Sequence, residues 1–164
     1  VVKYLAGEKN ANLKSKDSEG RNLLHHAVYS GNEVMVKYLV DDKKMIPMID
    51  DVDTLNHHTA AMEAADGGHL SILKFFLEDR NANATIVDAE GKNLLHTAVA
   101  ATENKLSIVE YLIEKRGFQV SDTTSSGKTA LDFAAGNSYA KKEVLEYLNK
   151  KKDEEWNASK HLIQ

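Results

Sequence analysis

The sequence predicts an all-α solenoid: stacked helix-turn-helix units joined by turns or β-hairpin-like loops, about four full repeats after a leading half repeat. Three observations carry that expectation. The segment Val2-Lys3-Tyr4-Leu5 returns 34 residues later as Val36-Lys37-Tyr38-Leu39, and again as Leu73-Lys74-Phe75-Phe76, Val109-Glu110-Tyr111-Leu112 and Leu145-Glu146-Tyr147-Leu148. The block from Ser18 to Val28 is nearly copied from Ala89 to Val99, including Asn-Leu-Leu-His. Within each copy the apolar residues fall at i, i+3 and i+4, the stripe of a half-buried helix.

In chain order, a half unit over residues 1–16 keeps only a second helix, Val1 to Ala6, as though further repeats preceded it. The first complete unit, 17–53, buries Leu24, Ala27 and Val28 from its first helix, then Met35, Val36, Leu39 and Val40 from its second. In the unit over 54–87 the second helix presents Ile72, Leu73, Phe76 and Leu77. The unit over 88–123 presents Leu95, Ala98 and Val99, then Ile108, Val109, Leu112 and Ile113. The last, 124–150, offers Leu131, Ala134 and Ala135, then Val144, Leu145 and Leu148. Asn149 stands where earlier units have Val40, Leu77 and Ile113, which predicts a terminal cap with a wet outer face. Residues 151–164 either extend that helix, with Trp156 packing back, or fray.

Gly31 and Gly68 fall between paired helices, where a residue free to take positive φ lets the chain reverse. Gly20, Gly91 and Gly127 fall in a turn ahead of each first helix. A hairpin this small cannot cover its own apolar side, so each must stack on the next, giving an elongated core.

The period is not strict. Gly20 to Met35 and His57 to Ile72 are steps of 15, whereas Gly91 to Ile108 and Gly127 to Val144 are 17, a longer turn between helices in the last two units. Val40 to His57 is 17, against 14 for Leu77 to Gly91 and for Ile113 to Gly127. That insertion carries Met45-Ile46-Pro47-Met48-Ile49 and the only proline of the chain. It is either a satellite cluster covering the stack or an exposed partner anchor through Met45, Ile46 and Met48; the cost of exposed apolar clusters favours packing.

At this point the chain resembles the ankyrin repeats. Their Thr-Pro-Leu-His-x-Ala-Ala helix start is similar to Thr59-Ala60-Ala61-Met62-Glu63-Ala64-Ala65, to Thr129-Ala130-Leu131-Asp132-Phe133-Ala134-Ala135, and to the Asn-Leu-Leu-His versions at 22–25 and 93–96. Their second-helix core is similar to Gly68-His69-Leu70-Ser71-Ile72-Leu73-Lys74-Phe75-Phe76-Leu77. The likeness covers residues 1–150, and the family's proline is absent throughout, which loosens helix entry. The resemblance implies that His25 and His96 make structural hydrogen bonds between units, and that partners dock on a concave face lined by turns and first helices.

Composition excludes several other functions. Net charge is −4 and pI about 6.0, so a phosphate-neutralising nucleic-acid surface is not expected. With no cysteine, disulfides and thiolate metal sites are out, and a reducing, intracellular setting is favoured, cytoplasmic or, for a secreted effector, inside a host cell. No apolar run is long enough to span a bilayer, so direct membrane insertion is not expected. The sequons at Asn83 and Asn157 matter only in a secreted chain.

Catalytic and metal motifs are likewise missing. The pairs His25-His26 and His57-His58 are sequential, and neighbours on a helix point apart. Ser126-Gly127-Lys128-Thr129 has the look of the end of a phosphate loop, yet lacks the first glycine and a preceding strand. Asp41-Asp42 and Asp50-Asp51 read as solvated loop residues. The expectation is a non-enzyme with no cofactor, metal or catalytic residue.

What remains is a binding surface. The non-structural first-helix position runs His26, Glu63, Thr97, Phe133, and the position after the turn glycine runs Arg21, His58, Lys92, Lys128. The second row is either a solvated row, with Glu19 and Glu90 alongside to neutralise it, or a basic ladder for an acidic or phosphorylated segment. Tyr29 and Phe133 are either aromatic anchors for a partner or covers for the adjacent repeat. The expected role is a monomeric protein-interaction module, a scaffold, adaptor or effector-recognition domain. The alternative is a substrate-recruiting repeat domain of a larger enzyme.

Overall fold

The computed structural model describes residues 12–42, 45–101, 106–137 and 142–161. The half repeat expected over Val1 to Ala6 lies outside them. Among the described residues the chain forms eight α-helices in four hairpins and no extended strand. The first helices are α1 (Leu23–Tyr29), α3 (Ala60–Asp66), α5 (Leu94–Ala100) and α7 (Ala130–Gly136). The second helices are α2 (Glu33–Lys37), α4 (Leu70–Lys74), α6 (Leu106–Arg116) and α8 (Lys142–His161). The longer turn expected in the last two units is present as the wider gap between α5 and α6 and between α7 and α8.

Each first helix starts where the sequence places a capping side chain. Asn22 Oδ1 accepts from the N–H groups of Leu24 and His25 at 2.9 and 3.2 Å, and Asn93 Oδ1 does the same for Leu95 and His96 at 3.1 Å each. Thr59 and Thr129 cap α3 and α7 through the N–H groups of Met62 and Asp132. Such caps are worth about 1 kcal/mol each. Every entry is therefore closed without the family's proline.

The second helices stop differently. In the first two units α2 and α4 widen into a π-type turn, Tyr38–Asp42 and Phe75–Asp79. The chain then doubles back, with the N–H groups of Met45, Ala82 and Phe118 donating to Leu39, Phe76 and Leu112. Asn81 (φ 52°) takes the left-handed conformation after the second unit, as Gly117 (φ 75°) does after the third.

Hairpin turns link the units, closed by bridges Lys16–Asn22, Val52–Thr59 and Thr123–Thr129. Adjacent turns are tied by backbone bonds: Thr54 N–H to Glu19 at 2.8 Å, Ala89 to Asn56 at 2.9 Å, and Ser125 to Glu90 at 3.1 Å. The insertion before the second unit divides in two. One residue enters the turn itself, where the N–H of Asp53 reaches His58, one residue further than Asp17 reaches Arg21 or Asp88 reaches Lys92. His57 there takes φ 58° in the place glycine holds in other units. The rest forms a 3-10 turn, Ile46–Met48, whose flanks Met45 and Ile49 are buried in the core at 3% and 5% exposure.

One continuous core runs through the stack, from Leu24 and Val28 through Phe76, Leu95 and Leu112 to Leu148. Most of the expected stripe residues are buried; Met35, Ile113, Leu131 and Leu145 are half-buried against the core, and Ala135 is exposed. α8 runs unbroken through position 150 to His161, so residues 151–161 are helical extension. Trp156 does not pack back as expected; it stays 63% exposed with Lys160 above its ring. Glu155 makes the return contact instead, accepting from the N–H groups of Val120 at 2.6 Å and Ser121 at 3.1 Å.

The first helices, rich in alanine, pack on one another along the stack. With the turns before them they form one side of it, the inner face.

Candidate functional site

The inner face is built from three columns that repeat with the units. The helix caps fix their register, because each cap sets which way the following residues point. His25 and His96, third after the cap, point inward to the core and are 1% exposed each. Their Nε2 atoms lie 3.1 Å from the carbonyls of His58, in the next unit, and of Asp122, in the chain leading into the next unit. A carbonyl only accepts, so Nε2 donates to it, while Nδ1 faces the N–H of Asn22 or Asn93 at 3.3 Å and the Oδ1 of the same residue at 2.9 or 2.7 Å. Burial pushes both imidazoles below their ordinary value and keeps them neutral. Both are inter-unit braces, as the resemblance implied.

The column after the turn glycine holds Arg21, His58, Lys92 and Lys128. Arg21 is engaged twice, with Asp17 at 3.0 Å and Glu19 at 3.0 Å. Against a desolvation that pushes it up, hydrogen bonds from Arg21 and from the Glu19 N–H hold the Asp17 carboxyl down to about 2. His58 lies between two carboxylates, Glu63 at 3.6 Å from Nδ1 and Asp88 at 3.5 Å from Nε2. Glu63 first, then Asp88 and Asp53, hold His58 above its ordinary value although burial opposes them. Lys92 pairs with Glu90 at 2.9 Å. Only Lys128 has no carboxylate within ion-pair distance among the described residues; its ammonium stands 5.8 Å from the centre of the Phe133 ring.

The acids that quench this row belong to the turns. Asp17, Asp53 and Asp88 each take two backbone N–H groups of their own turn at 2.7–3.0 Å. The fourth unit has Thr124 in that place and Ser126 in place of Glu19 or Glu90. The threefold aspartate is visible in the sequence, five residues before the cap at Asp17 and Asp88 and six at Asp53, where the turn holds its extra residue.

The first-helix column holds His26, Glu63, Thr97 and Phe133. His26 is exposed and meets Asp17 at 2.9 Å. Glu63 is half-buried beside His58. Thr97 is only 4% exposed, with its hydroxyl donating to the Asn93 carbonyl at 3.2 Å, so it is not open to a partner. Phe133 lies back on the third unit, edge-on to His96 at 5.7 Å, with Lys92 also 5.3 Å from its centre. It covers the adjacent repeat and keeps one face open.

A third column, one turn further along, runs Tyr29, Asp66, Ala100, Gly136. Tyr29 is 78% exposed at the rim. Partial desolvation, then the Glu63 charge, raise the Asp66 carboxyl. Of the insertion candidates, Met45 is buried packing and Met48 is half-buried, leaving Ile46, 47% exposed, as the open one.

Among the described residues no group of three or more His, Cys, Asp or Glu is placed to hold a metal ion. No helix among them is long and apolar enough to cross a membrane. The repeating hairpins, the capped first helices and the histidine braces coincide with an independent match: a family model described as ankyrin repeats in three copies covers residues 1–88 and 62–160. The chain belongs to the ankyrin-repeat family.

Proposed function

We propose that this chain is a protein-interaction module that takes a protein or peptide segment on the inner face, as a monomer, in the manner of a scaffold, adaptor or effector-recognition domain. Ankyrin repeats generally mediate protein–protein interaction and are typically non-catalytic. One observation carries the choice of face. Across the four units the core columns agree, as in Ala27, Ala64, Ala98 and Ala134 or Val36, Leu73, Val109 and Leu145. Two of the three inner columns vary from unit to unit, His26, Glu63, Thr97, Phe133, and Tyr29, Asp66, Ala100, Gly136, while the third, Arg21, His58, Lys92, Lys128, stays basic. A solenoid needs its stacking residues alike, whereas a recognition surface needs unlike ones.

The test is a footprint. Peptides selected from a random displayed library on the intact chain are added to isotope-labelled protein, and backbone amide shifts are followed. The expected shifts fall on α1, α3, α5, α7 and the turns before them. Shifts concentrated on the outer helices α2, α4, α6 and α8 would overturn the choice of face.

A further inference from the structure

We propose that the fourth unit holds the specificity-determining subsite of this face, a recess that takes an apolar side chain of the partner next to an aspartate or glutamate paired with Lys128. The inference rests on the inner-face reading above and adds the chemistry of the bound segment.

Two independent features meet there. The first is space. The third column shrinks from Tyr29 and Asp66 to Ala100 and Gly136, leaving a recess of about 370 Å³ lined by Ala100, Lys128, Asp132, Phe133, Gly136 and Asn137. A Cβ added at Gly136 would meet nothing within 4 Å, so the opening is real room above the helix. Phe133 forms the floor, set edge-on against the buried His96 ring. Asn137 fixes the wall by donating to the carbonyls of Val99, Ala100 and Ala101 at 3.2, 3.3 and 3.1 Å. A preformed hollow with Phe133, Ala100 and Gly136 on its apolar side suits one aliphatic or aromatic side chain there.

The second feature is charge. Arg21, His58 and Lys92 all have acids from their own or the next turn, and Lys128 has lost both equivalents to Thr124 and Ser126. Lys92 and Lys128 sit over the same ring, at 5.3 and 5.8 Å from its centre, so two ammonium groups converge on one edge of the recess; Glu90 pairs with Lys92, and Asp132 is the second exposed acid there. Asp132 stands at the rim, but its Oδ2 already accepts from the N–H and hydroxyl of Thr129 at 2.8 Å each. Lys128, the one cation of its column with no carboxylate within ion-pair distance among the described residues, is left to take a carboxylate from the partner, and the ring beneath the two ammoniums limits their freedom before binding.

The test uses the intact chain and peptides selected on it from a random displayed library. The expected consensus pairs an apolar residue with Asp or Glu. Lys128→Glu is expected to weaken the consensus peptide by roughly tenfold or more, Lys128→Arg to retain it, and raised salt to weaken the wild type but not the Lys128→Glu variant. Gly136→Phe, whose Cβ has open space at this position, is expected to weaken it by a similar factor while circular dichroism stays unchanged. Lys115→Glu on α6 makes the same charge change away from the recess and is expected to leave binding as it is. A basic consensus, no consensus, or peptides whose footprint is on the inner face yet whose affinity ignores both Lys128→Glu and Gly136→Phe would overturn the subsite. A footprint on the outer helices would overturn the inner-face reading itself, and the two failures are thereby told apart.

Discussion

The turn of the first unit and the turn of the fourth have nearly the same sequence, Ser18-Glu19-Gly20-Arg21 against Ser125-Ser126-Gly127-Lys128, and end in opposite states. In the first, Asp17 and Glu19 clamp the arginine, and the next turn presses on the glycine, with the Thr54 nitrogen 2.8 Å from where a Cβ would stand. In the fourth, the acids are absent and a Cβ at Gly127 would meet nothing within 4 Å. The lesson is that a repeat's local sequence builds the turn, but the neighbouring unit and two replaceable acids decide whether its cation is spent on the protein or left for a partner.

The comparison can be broken at several levels. The largest effect is expected from Leu95→Ala, which opens a cavity in the fully buried core shared by both ends. Loss of about 3–5 kcal/mol in urea unfolding is expected; a loss under 1 kcal/mol would mean that the stack tolerates a hole between its halves. Next comes Gly20→Ala against Gly127→Ala. Both force a side chain into positive φ, at about 1–2 kcal/mol, and only the first adds a clash with Thr54. Equal losses in thermal unfolding would show that the first turn relaxes away from its neighbour.

The third prediction concerns pH. His58 is held above its ordinary 6.5, so its charged form stabilises the fold fully below that value, and the contribution fades as pH rises through the raised folded value. His25 and His96 act in the opposite sense, because their depressed values cost stability as pH falls below 6.5. The stability difference between wild type and His58→Gln is therefore expected to be largest at mildly acidic pH and to shrink above 6.5. A difference independent of pH would show that Glu63 and Asp88 do not hold a proton on His58. The smallest effect is expected on the outer helices. Asp41→Asn breaks the inter-unit pair with Arg80 at 2.6 Å, where solvent screens the charges, and about 0–1 kcal/mol is expected in the same unfolding assay.

Much of the fold was legible because its signals are local. Apolar spacing, a capping Asn or Thr, and glycine in the left-handed region act within a few residues, and four copies repeat them in register. The inner-face residues were legible only as columns. Thr97 shares a column with the exposed His26, yet is only 4% exposed, its hydroxyl turned back to its own helix. Met45 reads as part of an apolar insertion, and the fold uses it as core. Trp156 was expected to return to the stack, and Glu155 returned instead because two free N–H groups of the 120–121 turn lay within its reach.

By itself the sequence determined the unit, its helix starts and its reversals, since each depends on neighbours along the chain. Only the tertiary structure decided which cations are quenched, where the third column opens into a recess, and which half of an insertion is buried. Those outcomes depend on atoms about one repeat away in sequence, brought within 3–4 Å by stacking, and one inserted residue in a turn is enough to change which of them meet.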